Sequence, residues 1–285
     1  MKKIILLFIA TSSLLACNES STQQETKQES NTSNVQLAKP EMLKSYVGSF
    51  EAEKVRENAK SPTYANKINL SVTSLKDGKI SGYSLIAGTQ QTFEGTYAVK
   101  AGQFEVQAKE PGTDKHDGRF EFTLDTIGKK ASGKWYCFDT MIDVPVRAFV
   151  LEEKTFAYDA NASLPEDLVG MPFYDPKFQD EMGGVGEMVT KDILKVNPSS
   201  TELKKSQVEN MFKGDLEVLR NSIYARHGYS FRNRKMRYIF DNYTEWYMPV
   251  SLNVEKELTE IEKKNIDLLK RYENHAAKYY DEFGR

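Results

Sequence analysis

Between Leu43 and Glu153, apolar side chains recur at every second residue, interrupted by short turn signals. Ile68, Leu70 and Val72 alternate with Asn69, Ser71 and Thr73; Phe104, Val106 and Ala108 with Glu105 and Gln107; Phe120, Phe122 and Leu124 with Glu121 and Thr123. Val144, Val146, Ala148 and Val150 carry the last run. Successive side chains of a strand point to opposite faces, so each run buries one face and wets the other. Asp77-Gly78 is the strongest turn signal, because a type I′ hairpin needs positive φ at both central residues. Ala87-Gly88-Thr89, Ala101-Gly102 and Ile127-Gly128 are weaker ones. The pattern predicts about eight strands at a spacing of roughly 12 residues, an antiparallel meander closing into a barrel or sandwich.

After about Leu203 the period changes to that of helices. Ser206-Gln207-Val208-Glu209 reads as a capping box, and Asp215 as the cap of a second helix with Leu216, Leu219 and Ile223 along one stripe. That helix ends in Tyr224-Ala225-Arg226-His227-Gly228. Gly228 suits the left-handed position after a helix, with Tyr229 packing back on Tyr224 and with Arg226 and His227 beside the last carbonyls. Asn233 caps a third helix, with Met236, Ile239 and Phe240 inward. Thr259-Glu260-Ile261-Glu262 is a second capping box and opens the longest helix, with Ile261, Leu268, Tyr272, Ala276, Tyr279 and Phe283 as its apolar face.

Residues 155–202 are broken up by prolines and glycines and read as a structured linker, with a strand or two from Glu187 to Val196. Gly184-Val185-Gly186 is a fragment of a dinucleotide fingerprint without its third glycine, and no βαβ unit surrounds it. At the other end, Lys2 and Lys3 precede the apolar run Ile4 to Ala10, too short to span a bilayer that needs about 20 apolar residues. Asn18 to about Ala38 is polar and cannot offset its chain entropy by burial, so it reads as a flexible tether. The expected organisation is a leader at 1–17, a tether at 18–42, a β module at 43–154, the linker at 155–202 and a helical module at 203–285.

The chain is 39% hydrophobic and 28% charged, as a folded body requires, and its net charge of −2 argues against a nucleic-acid coat. Two cysteines and three separated histidines give no basis for a disulfide scaffold, a metal site or a cofactor. Cys137 reads as a core thiol beside Trp135 and Phe138, and His116 as part of a solvated hairpin tip rather than a metal ligand with Asp114 and Asp117. No G-x-S-x-G, H-E-x-x-H or C-x-x-C motif is present, and a Cys137–His227 dyad would have to join separate modules. The expectation is therefore a protein that is not an enzyme, with an envelope hydrolase as the least favoured alternative.

Three resemblances add to this. Leu14-Leu15-Ala16-Cys17 resembles a bacterial lipobox, which implies that Cys17 is acylated and anchors an exported protein to a membrane of the cell envelope; the alternative is an ordinary secretory signal. Asn18 in place of aspartate resembles lipoproteins sent to the outer membrane of cells that have two. Tyr46-Val47-Gly48-Ser49-Phe50 resembles the start of a lipocalin-type barrel, although that family's tryptophan is absent. It implies a barrel able to hold one small ligand, the alternative being an interior filled by Phe, Trp and Tyr.

Residues from about 203 to 273 closely resemble the YARHG domain, a small bacterial extracellular module. The match includes Leu219-Arg220-Asn221, Ile223 to Gly228, Phe231, Phe240, Trp246-Tyr247 with Pro249, and Leu258-Thr259 with Glu262, Asn265 and Ile266. The fold class expected is thus α+β, a lipocalin-like antiparallel barrel followed by a small all-α module. Between Glu217 and Asp241 there is no acidic residue but there are six basic ones, interleaved with aromatic rings. Arg226, Tyr229, Arg232, Arg234 and Trp246 are the candidate contacts to an envelope partner, either peptidoglycan, another anionic polymer or a protein. The competing reading pairs the arginines inside the module, with Arg220 and Arg226 buried among Glu255, Glu257, Glu260 and Glu262. Small-ligand carriage by the β module is the alternative function.

Overall fold

Eight strands close into one barrel in chain order: β1 (Lys44–Lys54), β2 (Ala65–Lys76), β3 (Lys79–Ile86), β4 (Thr89–Lys100), β5 (Gln103–Lys109), β6 (Gly118–Asp125), β7 (Lys130–Cys137) and β8 (Val146–Glu153). Every pairing is antiparallel, and β8 returns to β1 through Phe149 opposite Phe50. The structure, a computed structural model, describes residues 44–125, 129–171 and 189–279. The leader with Cys17, the tether, Ile127-Gly128, Gly184-Val185-Gly186 and Phe283 lie outside the described residues. Asp77 and Gly78, Ala87 and Gly88, and Ala101 and Gly102 all have positive φ. These three two-residue hairpins thus share the turn that matches strand twist.

The inward frame fills much of the barrel. Ile68, Leu70, Phe93, Phe120, Phe122 and Leu151 are all buried, and Phe120, Phe122 and Phe149 meet with ring centroids 6.0–6.5 Å apart. On β8 the expected frame is wrong by one residue. Arg147, Phe149 and Leu151 point in, while Val150 is 66% exposed. A one-residue slip sends a whole strand to the opposite face, and both frames of this strand carry apolar side chains.

The outer face of β2 is not wet as its polar residues suggest. Asn69 and Ser71 are fully buried, and so are their outward neighbours Val47 and Leu85. The helical region covers them, with Asn69 donating to the Pro249 carbonyl at 2.8 Å. Lys67 sits beside them. Its ammonium donates to the carbonyls of Thr244 (2.8 Å), Tyr247 (3.1 Å) and Phe240 (3.5 Å). Burial holds its pKa down at about 8.

The helical region has a one-turn helix α1 (Lys205–Val208), then α2 (Lys213–Arg226), α3 (Arg234–Tyr243) and α4 (Glu260–Tyr279). Lys204, not Ser206, caps α1, its amide held by Gln207 Oε1 at 2.7 Å. Asp215 lies inside the first turn of α2, where it accepts from the amide and hydroxyl of Thr190. Lys191–Leu194 form a short 3-10 turn where a strand was expected. Gly228 ends α2 at φ +72°, with its amide bonded to the Ala225 carbonyl and that of Tyr229 to the Tyr224 carbonyl. That pair of bonds is the Schellman motif, and the Tyr224 and Tyr229 rings lie 6.1 Å apart beside it. Asn233 caps α3, and Thr259 and Glu262 form the expected box on α4. On α4 the buried face is Glu262, Asn265, Ile266, Leu269 and Ala276, whereas Ile261 and Tyr279 are exposed. Asn265 explains the rotation: it accepts from the Leu203 amide and donates to the carbonyls of Pro198 and Thr201.

Candidate functional site

The aromatic core does not fill one end of the barrel. There the segments joining β1 to β2, β3 to β4, β5 to β6 and β7 to β8 surround a cavity of about 780 Å³. Small-molecule sites have volumes of roughly 300–1,000 Å³. Phe50, Ile86 and Trp135 supply apolar wall, and Asn66, Glu110 and Arg147 supply buried polar groups.

Each of these three polar residues continues an inward frame. Glu110 follows Val106 and Ala108, Asn66 precedes Ile68 and Leu70, and Arg147 precedes Phe149 and Leu151. The sequence reading missed all three, and a polar residue continuing an apolar frame was the available signal.

Glu110 is 4% exposed and accepts from Trp135 Nε1 (3.0 Å), the Gly118 amide (2.7 Å) and Ser84 Oγ (3.3 Å). Burial pushes its pKa up to about 7 despite those donors. Arg147 donates to the carbonyls of Phe50 (3.0 Å) and Thr63 (2.9 Å), and its guanidinium lies 5.3 Å from the Phe50 ring centre.

Helix α3 of the neighbouring helical region forms part of the same wall through Arg237. Three contacts hold this region at the mouth. Ser230 Oγ accepts from the Gly88 amide at 3.0 Å, Arg232 Nε donates to the Gly88 carbonyl at 3.1 Å, and Arg234 donates to the Pro62 carbonyl at 2.8 Å and to Ser61.

The five candidate contact residues therefore do not converge on one open patch. Arg226 is 3% exposed and donates to the Ala162 carbonyl (2.8 and 3.0 Å) and to Ser222 Oγ (2.8 Å), away from the last carbonyls of α2. Burial lowers its pKa to about 10. Trp246 lies beside it and donates to the Ser163 carbonyl at 2.7 Å. Arg232 and Arg234 hold barrel loops. Tyr229 lines a separate cleft of about 340 Å³ with Tyr224, Arg220 and Lys270. Of the paired arginines, Arg220 reaches Glu273 at 2.8 Å, not one of the expected glutamates.

The residues of the signature loop also hold the segment before them. His227 Nε2 lies 2.8 Å from Glu262 Oε2, and its ring stacks on Tyr158 at 4.3 Å. Tyr158 donates to the other Glu262 oxygen at 3.1 Å. Burial raises the Glu262 pKa, but hydrogen bonds from His227, Thr259 and Ser199 outweigh it and leave the carboxyl below its usual range. Cys137 meets neither His227 nor Glu262. Its thiol donates to the Lys115 carbonyl, and burial pushes its pKa up. The His116 amide donates to Asp114, and Asp117 is buried under the same loop, where it accepts from the amides of Thr113 and Asp114.

The fold thus defines a two-part molecule, a closed up-and-down barrel with a helical domain seated at its mouth. Residues 192–274 match the YARHG domain family, so the helical region carries a YARHG domain, a module typical of extracellular and envelope proteins. No curated protein and no solved structure matches the chain. Among the described residues, no helix is long and apolar enough to cross a membrane.

Proposed function

We propose that the protein is an extracytoplasmic binding protein that holds a small organic molecule in the mouth of its barrel without transforming it. Acylated Cys17 anchors it to a membrane of the cell envelope, and the YARHG domain braces the mouth. The observation that carries this is the cavity of about 780 Å³ with Glu110, Asn66 and Arg147 buried in its wall. Sites for small ligands combine apolar wall with a few fixed polar groups in this way. Glu110 is immobilised by three donors, which suits orientation of a ligand better than proton transfer. Direct contact of the named arginines with cell-wall glycan has less support, because Arg226, Arg232 and Arg234 are engaged within the protein.

Native mass spectrometry of the protein isolated from its own envelope tests the proposal. A non-covalent adduct of a few hundred daltons is expected on the wild type and absent from Gln91→Trp, which places an indole in the mouth. Finding each protein at its own polypeptide mass, with no adduct on the wild type, would contradict it. The cleft beside Tyr229, with two tyrosine rings and Lys270, keeps one glycan reading open. Retention on peptidoglycan that Tyr229→Ala abolishes would favour it.

A further inference from the structure

We propose that the mouth takes an organic anion whose acidic group is gripped between Arg147 of the barrel and Arg237 of the YARHG domain. Given that the mouth is the ligand site, as proposed above, that site is complete only when both parts of the chain contribute.

Arg147 is 8% exposed and lines the cavity. Two of its N–H groups go to neutral backbone carbonyls, and no carboxylate among the described residues pairs with it. Arg237 comes to the same cavity from α3. It donates to the Arg232 carbonyl, and its Nε–H is buried without a partner. Burial, and then the Arg237 charge, lower the Arg147 pKa to about 10. The Arg237 charge thus disfavours the Arg147 cation, and burial disfavours both. Buried charges are ordinarily paired, and a guanidinium presents donors in a fork that fits a carboxylate, sulfonate or phosphate.

The acids around the cavity leave Arg147 without a partner, and none accepts a hydrogen bond from Arg237 among the described residues. Asp143 accepts from the amides of Ser61 and Lys60 and faces Arg56. Asp139 and Asp114 accept from loop amides at Met141 and His116. Glu110 is held by Trp135, Gly118 and Ser84. Asp241, one turn further along α3, attracts the Arg237 charge, but it accepts its hydrogen bond from the Lys67 amide, and burial raises its pKa to about 6. One acceptor is unused as well: Asn66 Oδ1 is buried in the same wall with no donor. An anion carrying a hydroxyl or N–H near its acidic group would satisfy the guanidinium donors and this acceptor together.

The test uses the full chain and two probes with the same aromatic body, anilinonaphthalene sulfonate (anionic) and phenylnaphthylamine (neutral). The wild type is expected to bind both, and Gln91→Trp neither. Arg237→Met and Arg147→Met are expected to weaken the sulfonate about tenfold while changing the neutral probe less than about twofold. Equal binding of the sulfonate by wild type and Arg237→Met, with both probes still lost in Gln91→Trp, would overturn the anion site and leave the mouth as a ligand site. Binding that survives Gln91→Trp would overturn the mouth itself. Arg237 holds only one backbone carbonyl, so its variant decides the matter if Arg147→Met fails to fold.

Discussion

Arg232 lies across Gly88 so closely that a Cβ on the glycine would stand 2.1 Å from the arginine Cγ and 3.0 Å from its backbone nitrogen. A hairpin of the barrel and the entry to α3 thus meet with no room for a methyl group. Gly102 is a matched control, with φ +80° in the same kind of turn and nothing within 4 Å of the place a Cβ would take. Gly102→Ala is expected to cost about 1 kcal/mol of backbone strain. Gly88→Ala should cost about 3 kcal/mol, because the docked arginine must also move. Urea unfolding of the two variants measures the difference. Equal losses would mean that the contact between hairpin and helix contributes nothing.

Lys67→Met removes the ammonium from three carbonyls near the end of α3. Acceptors left buried without donors cost about 1–3 kcal/mol, and the Lys67 charge also favours the negative end of the helix. A loss of about 2 kcal/mol is expected by urea unfolding, with the barrel's strand signal retained by circular dichroism at the wild-type level before unfolding.

Glu110 makes stability depend on pH. Its folded pKa of about 7 lies above the ordinary value of 4.5, so the folded state holds the proton more tightly. The stabilisation is fully present below the ordinary value and is lost as pH rises through the folded one; its size is at most about 3 kcal/mol. Asp241 drifts the same way between its ordinary 3.8 and about 6, so the wild type alone does not isolate Glu110. Glu110→Gln is therefore expected to lose less stability than the wild type between about pH 5 and about pH 8. Parallel pH curves for the two proteins would remove Glu110 as the cause.

Glu262 holds His227, Tyr158 and its own cap residue Thr259 at once. Its carboxyl lies below the ordinary range, so the stability it contributes is present above the ordinary pKa and is lost as pH falls through the folded one. Glu262→Ala is expected to cost about 3 kcal/mol and to release the surface Tyr158 segment from its anchor. Limited chymotrypsin digestion should then cut after Tyr158 while the wild type resists. Unchanged digestion would show that the segment is held by other contacts.

Much of the barrel was legible because its alternation is local. Asp77-Gly78 and the frame of Ile68, Leu70 and Val72 need only neighbouring residues to be interpreted. What covers Asn69 is Pro249, 180 residues away, so the burial of that polar face was not written near it. The β8 frame failed because Val146, Ala148 and Val150 are as apolar as Phe149 and Leu151, and an arginine inside a barrel runs against the cost of burying charge. The helix stop at Gly228 was readable from the geometry glycine permits. The use of Arg226 was not, since its acceptor, the Ala162 carbonyl, belongs to the linker. The site at the mouth draws on β2, β8, the end of β5 and α3, and no contiguous motif spells it.

Trp135 stands in the wall of the mouth and Trp246 in the YARHG domain, so a contact quencher can tell which part receives a ligand. The decisive measurement is emission quenching by bromooctanoate in Trp246→Phe, where Trp135 alone reports, and in Trp135→Phe, where Trp246 alone reports. Saturable quenching of Trp135 is the expected result, with Trp246 unaffected. It should disappear when Gln91→Phe is added, a change that fills the mouth without a further indole. Quenching confined to Trp246, or undiminished when the mouth is filled, would contradict a ligand site in the barrel.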